Sequence, residues 1–180
     1  MQQLQMTGVY RNPTFYTKVV SSQNELIIKS KNKNRFVVSK DVASLLKQLL
    51  IEPVKGKNGT ATYCSIPKQD VAAKTGTTNE NYDRWLCGFT NNYTTICWFG
   101  FDKNESIDYY GKNPAGLMWI DVMSKIHSNL PSSKFTITNG LTSINICKDS
   151  GKIATSHCKN TYTEYFLNGT VITDVCEEHR

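Results

Sequence analysis

Val71-Ala72-Ala73-Lys74-Thr75-Gly76-Thr77-Thr78 is a strip of small side chains around a lysine, three hydroxyls and a glycine, and it reads as a strand. Two aromatic and β-branched runs follow, residues 83–90 and 94–101, joined across Asn91-Asn92-Tyr93. Three extended segments in close succession around a tight turn commit this part of the chain to an antiparallel sheet. A three-residue loop at the turn sets Cys87 opposite Cys97, with Trp85 and Phe89 sharing their face. Those thiols then become either a cross-strand disulfide or two buried free cysteines.

Helices flank the sheet in sequence. Ser39 suits an N-cap, Asp41 suits a first turn, and Val42, Leu45, Leu46, Leu49 and Leu50 recur at helical spacing. Pro53 is expected to stop this helix after Glu52. Asn113 caps a second helix with Pro114 at its first position, and Trp119, Val122, Met123 and Ile126 form its apolar stripe. His127 near its end reads as a capping or surface residue. Upstream, residues 6–10, the segment from Phe15 to Val20 and the segment from Glu25 to Lys29 read as short extended pieces, the last two as a hairpin. The fold class expected is therefore α+β, an antiparallel sheet covered by helices. Residues 133–180 change texture, rich in Thr, Ile and aromatic residues, and read as a small β-rich appendage.

At 180 residues the chain is long enough for one domain with a core plus a small addition. Its formal net charge of +6 is concentrated in residues 1–60, which carry ten Lys or Arg against three acidic residues. Lys29, Lys31, Lys33 and Arg35 are densest and read as a loop between strands. Such a loop is a solvated surface or a docking point for an anionic polymer or membrane face. Charge alone is a weaker sign of nucleic acid than charge with interleaved aromatic residues, and no nucleic acid partner is expected. No apolar run approaches the roughly 18 residues of a membrane span, and no secretory signal opens the chain.

Six cysteines are present. Cys147-x10-Cys158-x17-Cys176-x2-His179 has the residue types of a zinc set, yet the same cysteines suit a disulfide or free thiols, and spacing leaves the three open.

The chemistry available at Lys74 is recognition of an anionic, acyl-bearing ligand. Ala72, Ala73 and Gly76 keep the strand surface open, and Gly76 lets a ligand approach the backbone. A ligand can then pair with the strand edge while Lys74 supplies charge and the Thr77 N–H faces a developing oxyanion. It is not a phosphate-binding loop, because the lysine precedes the glycine.

Lys74-Thr75-Gly76-Thr77-Thr78-Asn79, Asp83-Arg84-Trp85-Leu86-Cys87-Gly88-Phe89-Thr90 and Tyr93-Thr94-Thr95-Ile96-Cys97-Trp98-Phe99-Gly100 together resemble the transpeptidase domain of penicillin-binding proteins. Asn58-Gly59-Thr60-Ala61 and the helix from Pro114 to His127 fit the same pattern. The cysteine tail with Phe166-Leu167-Asn168-Gly169-Thr170 is similar to the end of bifunctional class A members from Gram-positive, clostridia-like bacteria. The resemblance implies a partial serine β-lactamase/penicillin-binding fold, with residues 1–132 as the C-terminal portion of the transpeptidase domain and residues 133–180 as the appendage. It implies a D,D-transpeptidase that cross-links D-Ala-D-Ala stem peptides through a serine acyl-enzyme and binds β-lactams. It places the protein at the outer face of the plasma membrane, anchored through a segment not present here.

In that family pattern Lys74 and Thr77 are the catalytic residues of this strand, Thr75, Gly76, Thr77 and Thr78 bind substrate, and no cofactor or metal takes part. The extracellular setting implies one disulfide among Cys147, Cys158 and Cys176, with His179 a terminal surface residue. The Ser-x-x-Lys nucleophile and the Ser-x-Asn motif are not recognisably in place. Ser44-Leu45-Leu46-Lys47, Ser30-Lys31-Asn32-Lys33, Ser156-His157-Cys158-Lys159 and Ser22-Gln23-Asn24 are chance matches to those patterns. The chain thus supplies one wall of a cleft, relies on an upstream part of the same protein, and is expected to be inactive in isolation. Two alternatives remain from the residues: a non-catalytic module binding cell-wall peptide or a partner, and a β-lactamase-like serine hydrolase using Ser44.

Overall fold

A computed structural model describes residues 1, 5, 7–31, 33–108 and 111–179. Met6 and Asn32, which fall within two of the segments read above, lie outside the described residues. Four short strands come first: β1 (Val9–Arg11), β2 (Lys18–Val20), β3 (Leu26–Lys29) and β4 (Asn34–Phe36). They form two antiparallel pairs, β1 with β4 and β2 with β3, the latter with a register shift between Val19 and Val20. The hairpin is as expected. The basic stretch is only partly loop, since Lys29 closes β3 and Arg35 lies within β4 with its guanidinium 5.2 Å over the Tyr10 ring. These strands bury little, and Phe15, Leu26, Ile27 and Phe36 stand in solvent.

Helix α1 (Lys40–Lys55) starts at Ser39, whose hydroxyl accepts from the Val42 N–H at 3.2 Å. It does not stop at Glu52. Pro53 sits inside the last turn, and the helix closes when the Gly56 N–H donates to the Glu52 carbonyl at 2.8 Å. A proline there sacrifices one interior hydrogen bond, and the remaining turn is short enough to tolerate it. The deep face also differs from the expected leucine stripe. Ala43, Ser44, Lys47, Ile51 and Val54 are buried, whereas Leu49 is exposed. Small Ala43 and Ser44 let the helix approach its neighbours closely, and the leucines fall to the flanks.

The central sheet has the order β5 (Ala72–Thr77), β6 (Asp83–Phe89), β7 (Thr94–Gly100), all antiparallel. Phe89 pairs with Thr94, so four residues make the turn, and the Thr90 N–H donates to the Tyr93 carbonyl. The extra residue shifts the register by one. Cys87 faces Ile96, Cys97 faces Leu86, and the expected Cys87–Cys97 pairing is not made. A one-residue slip turns a side chain to the other face of a sheet.

Helix α2 (Pro114–His127) is capped by Asn113, whose side chain accepts from the Ala115 N–H. It buries Ala115, Gly116, Trp119, Met123 and His127, while Val122 and Ile126 are exposed, so the packing face is rotated from the expected stripe. His127 is core, not surface. Its Nδ1 donates to the Met123 carbonyl at 2.7 Å, which leaves Nε2 to accept from the Thr90 hydroxyl at 2.9 Å. Trp119, Met123, Leu86, Ala73, Val71 and Cys64 fill the principal core, and burial pushes the Cys64 thiol up to about 12. A second cluster joins Ile51 on α1, Ala72 and Phe89 on the sheet, and Phe135 beyond α2.

Strands β8 (Leu141–Cys147) and β9 (Thr161–Leu167) make the terminal antiparallel ribbon. The mixed α/β architecture, with antiparallel sheets and two long helices, is as expected, although residues 134–140 are not strand. Residues 133–138 pack on α1 and on the segment leading into β5. Ser44 Oγ donates to the Thr136 carbonyl and accepts from the Thr138 N–H, both at 3.3 Å. Ser44 is 1% exposed and its hydroxyl is committed, so it is no nucleophile.

One carboxylate joins these parts. Asp70 Oδ1 accepts from Lys55 at 2.7 Å and Lys134 at 3.3 Å, while Oδ2 accepts from the Phe135 N–H at 3.0 Å. Burial alone raises its pKa, but the Lys55, Phe135 and Lys134 hydrogen bonds together outweigh that and hold it below the usual carboxylate range. Its contribution is therefore complete above the unfolded value of about 3.9 and lost as pH falls through the lower folded value. Asp70→Asn is expected to cost about 1–2 kcal/mol at neutral pH, because both ammonium groups stay half in water. Urea denaturation of the two chains at pH 7 and pH 3 checks this, the difference shrinking at the lower pH.

Candidate active-site groove

Strand β5 is the edge of its sheet, with no partner on its outer side among the described residues. Its two faces serve different spaces. Thr75 and Thr77 project to one side and line a groove of ≈ 450 Å³ together with Thr60, Tyr63, Arg84 and Lys112. Lys74 lines an adjoining open groove of ≈ 630 Å³ bounded by the C-terminal turn of α1, Lys57 and Lys148. Thr60 borders both, and its hydroxyl lies 3.3 Å from that of Thr75.

The groove is built by packing on both sides. Asn113 caps α2 and also donates from Nδ2 to the Trp85 carbonyl at 2.9 Å, fixing the helix start against β6. Tyr63 donates to the Asn113 carbonyl at 3.2 Å, and the Lys112 ammonium lies 5.4 Å over the Tyr63 ring. Gly76 faces Trp85 so closely that an added Cβ falls 3.1 Å from the Trp85 Cβ. A larger residue there would push β5 outward and change the width of the groove edge.

Arg84 Nη1 donates to Thr77 Oγ1 at 3.3 Å, and Arg84 Nε is buried with no hydrogen-bond partner among the described residues. The Lys74 ammonium donates to the Thr75 carbonyl at 2.9 Å. The residues lining the first groove include two cations, no carboxylate, no serine and no cysteine. Such a surface suits a carboxylate-bearing ligand, which would give the Arg84 fork an acceptor.

Thr78 behaves differently from its neighbours. Its hydroxyl accepts from the Asp83 N–H at 2.8 Å and donates to Asp83 Oδ2 at 3.1 Å, and Asp83 Oδ1 accepts from Trp98 Nε1 at 2.7 Å. It does not line the groove of Thr75 and Thr77. Asp83 therefore braces the strand end. Thr60, Tyr63, Lys112 and Asn113 are groove residues that strand-based reasoning missed. Their only local signals were Gly59-Thr60 in a loop and Lys112-Asn113 directly ahead of a capped helix.

A model of the penicillin binding protein transpeptidase domain matches residues 1–111, and one described as penicillin-binding protein 1A, C-terminal domain, matches residues 137–180. Penicillin-binding protein 1A of Clostridium tetani is 31% identical over 179 residues, covering 96% of this chain and 23% of that protein. The Clostridium botulinum protein of the same name is 29% identical over 178 residues, covering 96% and 21%. The chain thus spans about a fifth of the length of these relatives. The crystal structure of penicillin-binding protein 1A from Haemophilus influenzae superposes with a TM-score of 0.81 at 21% identity, covering 97% of this chain and 32% of that one. The D,D-transpeptidase domain of a peptidoglycan glycosyltransferase from Eggerthella lenta gives 0.54 at 25% identity, covering 71% and 30%.

Thr78→Val removes both contacts to Asp83 and is expected to cost about 1 kcal/mol. Hydrogen exchange at the end of β5 should speed up, with exchange at Thr75 little changed.

Proposed function

The chain belongs to the penicillin-binding protein transpeptidase family, and on that premise we propose that it forms one wall of a peptidoglycan D,D-transpeptidase site. Thr75 and Thr77 bind the terminal carboxylate of a D-Ala-D-Ala stem peptide or of a β-lactam. The Thr77 N–H contributes to the oxyanion hole, Gly76 admits the ligand backbone along the strand edge, and Lys74 faces the nucleophile from its own groove. Thr78 acts at one remove, by keeping the strand end in place through Asp83.

The observation that carries this reading is the cationic groove at a strand edge that has no outer partner among the described residues. An extended peptide can add to such an edge by main-chain hydrogen bonds while its carboxylate takes the hydroxyls and the guanidinium. Acyl transfer also needs a nucleophile within about 3 Å of its base. We assign that serine, and the strands that would cover the outer edge of β7, to polypeptide outside these 180 residues. Residues 139–180 form the appendage, and residues 133–138 work as part of the first unit. The site would act on the outer side of the plasma membrane, held there by a segment outside these residues; no described helix is long and apolar enough to cross a membrane.

A labelled penicillin incubated with the 180-residue chain should leave no covalent adduct by intact mass, and an adduct would overturn the assignment of the nucleophile. In the longer polypeptide, Thr77→Val and Lys74→Ala should each slow acylation by roughly 10²-fold or more. Unchanged acylation rates in both would remove the site from β5.

A further inference from the structure

The cysteine tail holds a second cluster of reactive groups, far in sequence from β5. All six cysteines are free, so the disulfide expected among Cys147, Cys158 and Cys176 is not formed. Instead the three Sγ atoms and a ring nitrogen of His179 lie within 4.8 Å of one another. His179 Nδ1 is 3.5 Å from Cys147 Sγ and 3.3 Å from Cys176 Sγ. A tetrahedral zinc ion with Zn–S of about 2.3 Å and Zn–N of about 2.0 Å needs ligand-to-ligand edges of roughly 3.5–3.8 Å. A disulfide would use two of the sulfurs and leave the third and the imidazole without a purpose.

We propose that Cys147, Cys158, Cys176 and His179 form a closed, structural zinc site that staples the β8–β9 ribbon to the C-terminal segment.

Each cysteine ligand is held by its backbone. The Cys147 N–H donates to the Lys152 carbonyl and the Gly151 N–H returns to the Cys147 carbonyl, a tight turn that Gly151 makes at φ +69. The Cys158 N–H donates to the Thr155 carbonyl, and the Thr155 N–H points at Cys158 Sγ at 3.3 Å. The Cys176 N–H donates to the Ile153 carbonyl at 2.8 Å. His179 is oriented from its far side, with Nε2 3.3 Å from Asp149 Oδ2, the carboxylate–imidazole arrangement that fixes the ring and raises its basicity at metal centres. With four protein ligands the coordination shell is complete, and a role in folding follows instead of one in catalysis.

The ribbon also needs such a staple. Among the described residues from 139 onward, only Ile146, Cys147 and Cys176 are buried. A two-stranded ribbon with so small a core is marginal without a disulfide or a metal. Three thiolates and an imidazole are a soft set that selects zinc over calcium or magnesium. On binding, thiol protons leave to solvent and no redox change occurs.

The test uses the 180-residue chain purified under reducing conditions and loaded with zinc, followed by elemental analysis and cobalt exchange. About one zinc per chain is expected, and cobalt should show intense tetrahedral visible bands with thiolate charge transfer. Cys176→Ala and Cys158→Ala should lower affinity by at least about tenfold, and Asp149→Ala by about 10- to 100-fold with the cobalt spectrum retained. Cys87→Ala combined with Cys97→Ala should change nothing. Absence of the cobalt charge transfer in the unmodified chain overturns the proposal without depending on how any variant folds. So does a zinc affinity unchanged in the Cys176 variant, or an intact mass lower by two hydrogens in the reduced preparation.

Discussion

The Asp70 carboxylate is the contact on which the arrangement of the parts depends. It sits two residues before β5 begins and takes hydrogen bonds from the last turn of α1 and from both Lys134 and Phe135. Helix, sheet edge and the segment leaving α2 are thereby fixed relative to one another by one buried anion. Charge-assisted bonds of this kind are directional and short, and they specify position as much as they stabilise. Phe135 then fills the space between Ile51, Ala72 and Phe89. The groove beside Thr75 and Thr77 inherits its shape from that junction, because β5 emerges from it.

Those parts of the fold carried by local chemistry were legible in the sequence. Ser39 and Asn113 capped the two helices as their side chains dictate, and the β2–β3 hairpin and the three-stranded sheet followed from alternation and turns. What depended on counting or on tertiary packing was not legible. One additional residue in the 90–93 turn turned Cys97 away from Cys87. On α1 the helical period was right but its phase was wrong, since hydrophobicity cannot say that close approach to a neighbour is worth more than burying a leucine. Burial of Ser44 and Lys47 is paid for by partners at Thr136 and Gln5, nearly a hundred and about forty residues away in sequence.

The candidate site divides along similar lines. Lys74, Thr75, Gly76 and Thr77 announced themselves as a motif, but the residues opposite them come from a loop at Thr60 and a helix start at Asn113. Thr78 belonged to the motif by sequence and to the brace by structure. The cysteines show the same limit from another side. Spacing could not choose among disulfide, metal and free thiols, and the proposed zinc site rests on three-dimensional convergence around His179.

The bare apolar strands near the N-terminus have a colloidal consequence. Phe15, Leu26, Ile27 and Phe36 are exposed in the same sixty residues that hold the chain's excess of lysine and arginine. Copies of the chain are kept apart there by like-charge repulsion, and attraction between the strands acts only at short range. Salt shortens the reach of that repulsion to about 8 Å at physiological ionic strength. Dispersion of the chain in water is therefore expected to depend on ionic strength, with dilute buffer favoured over concentrated salt.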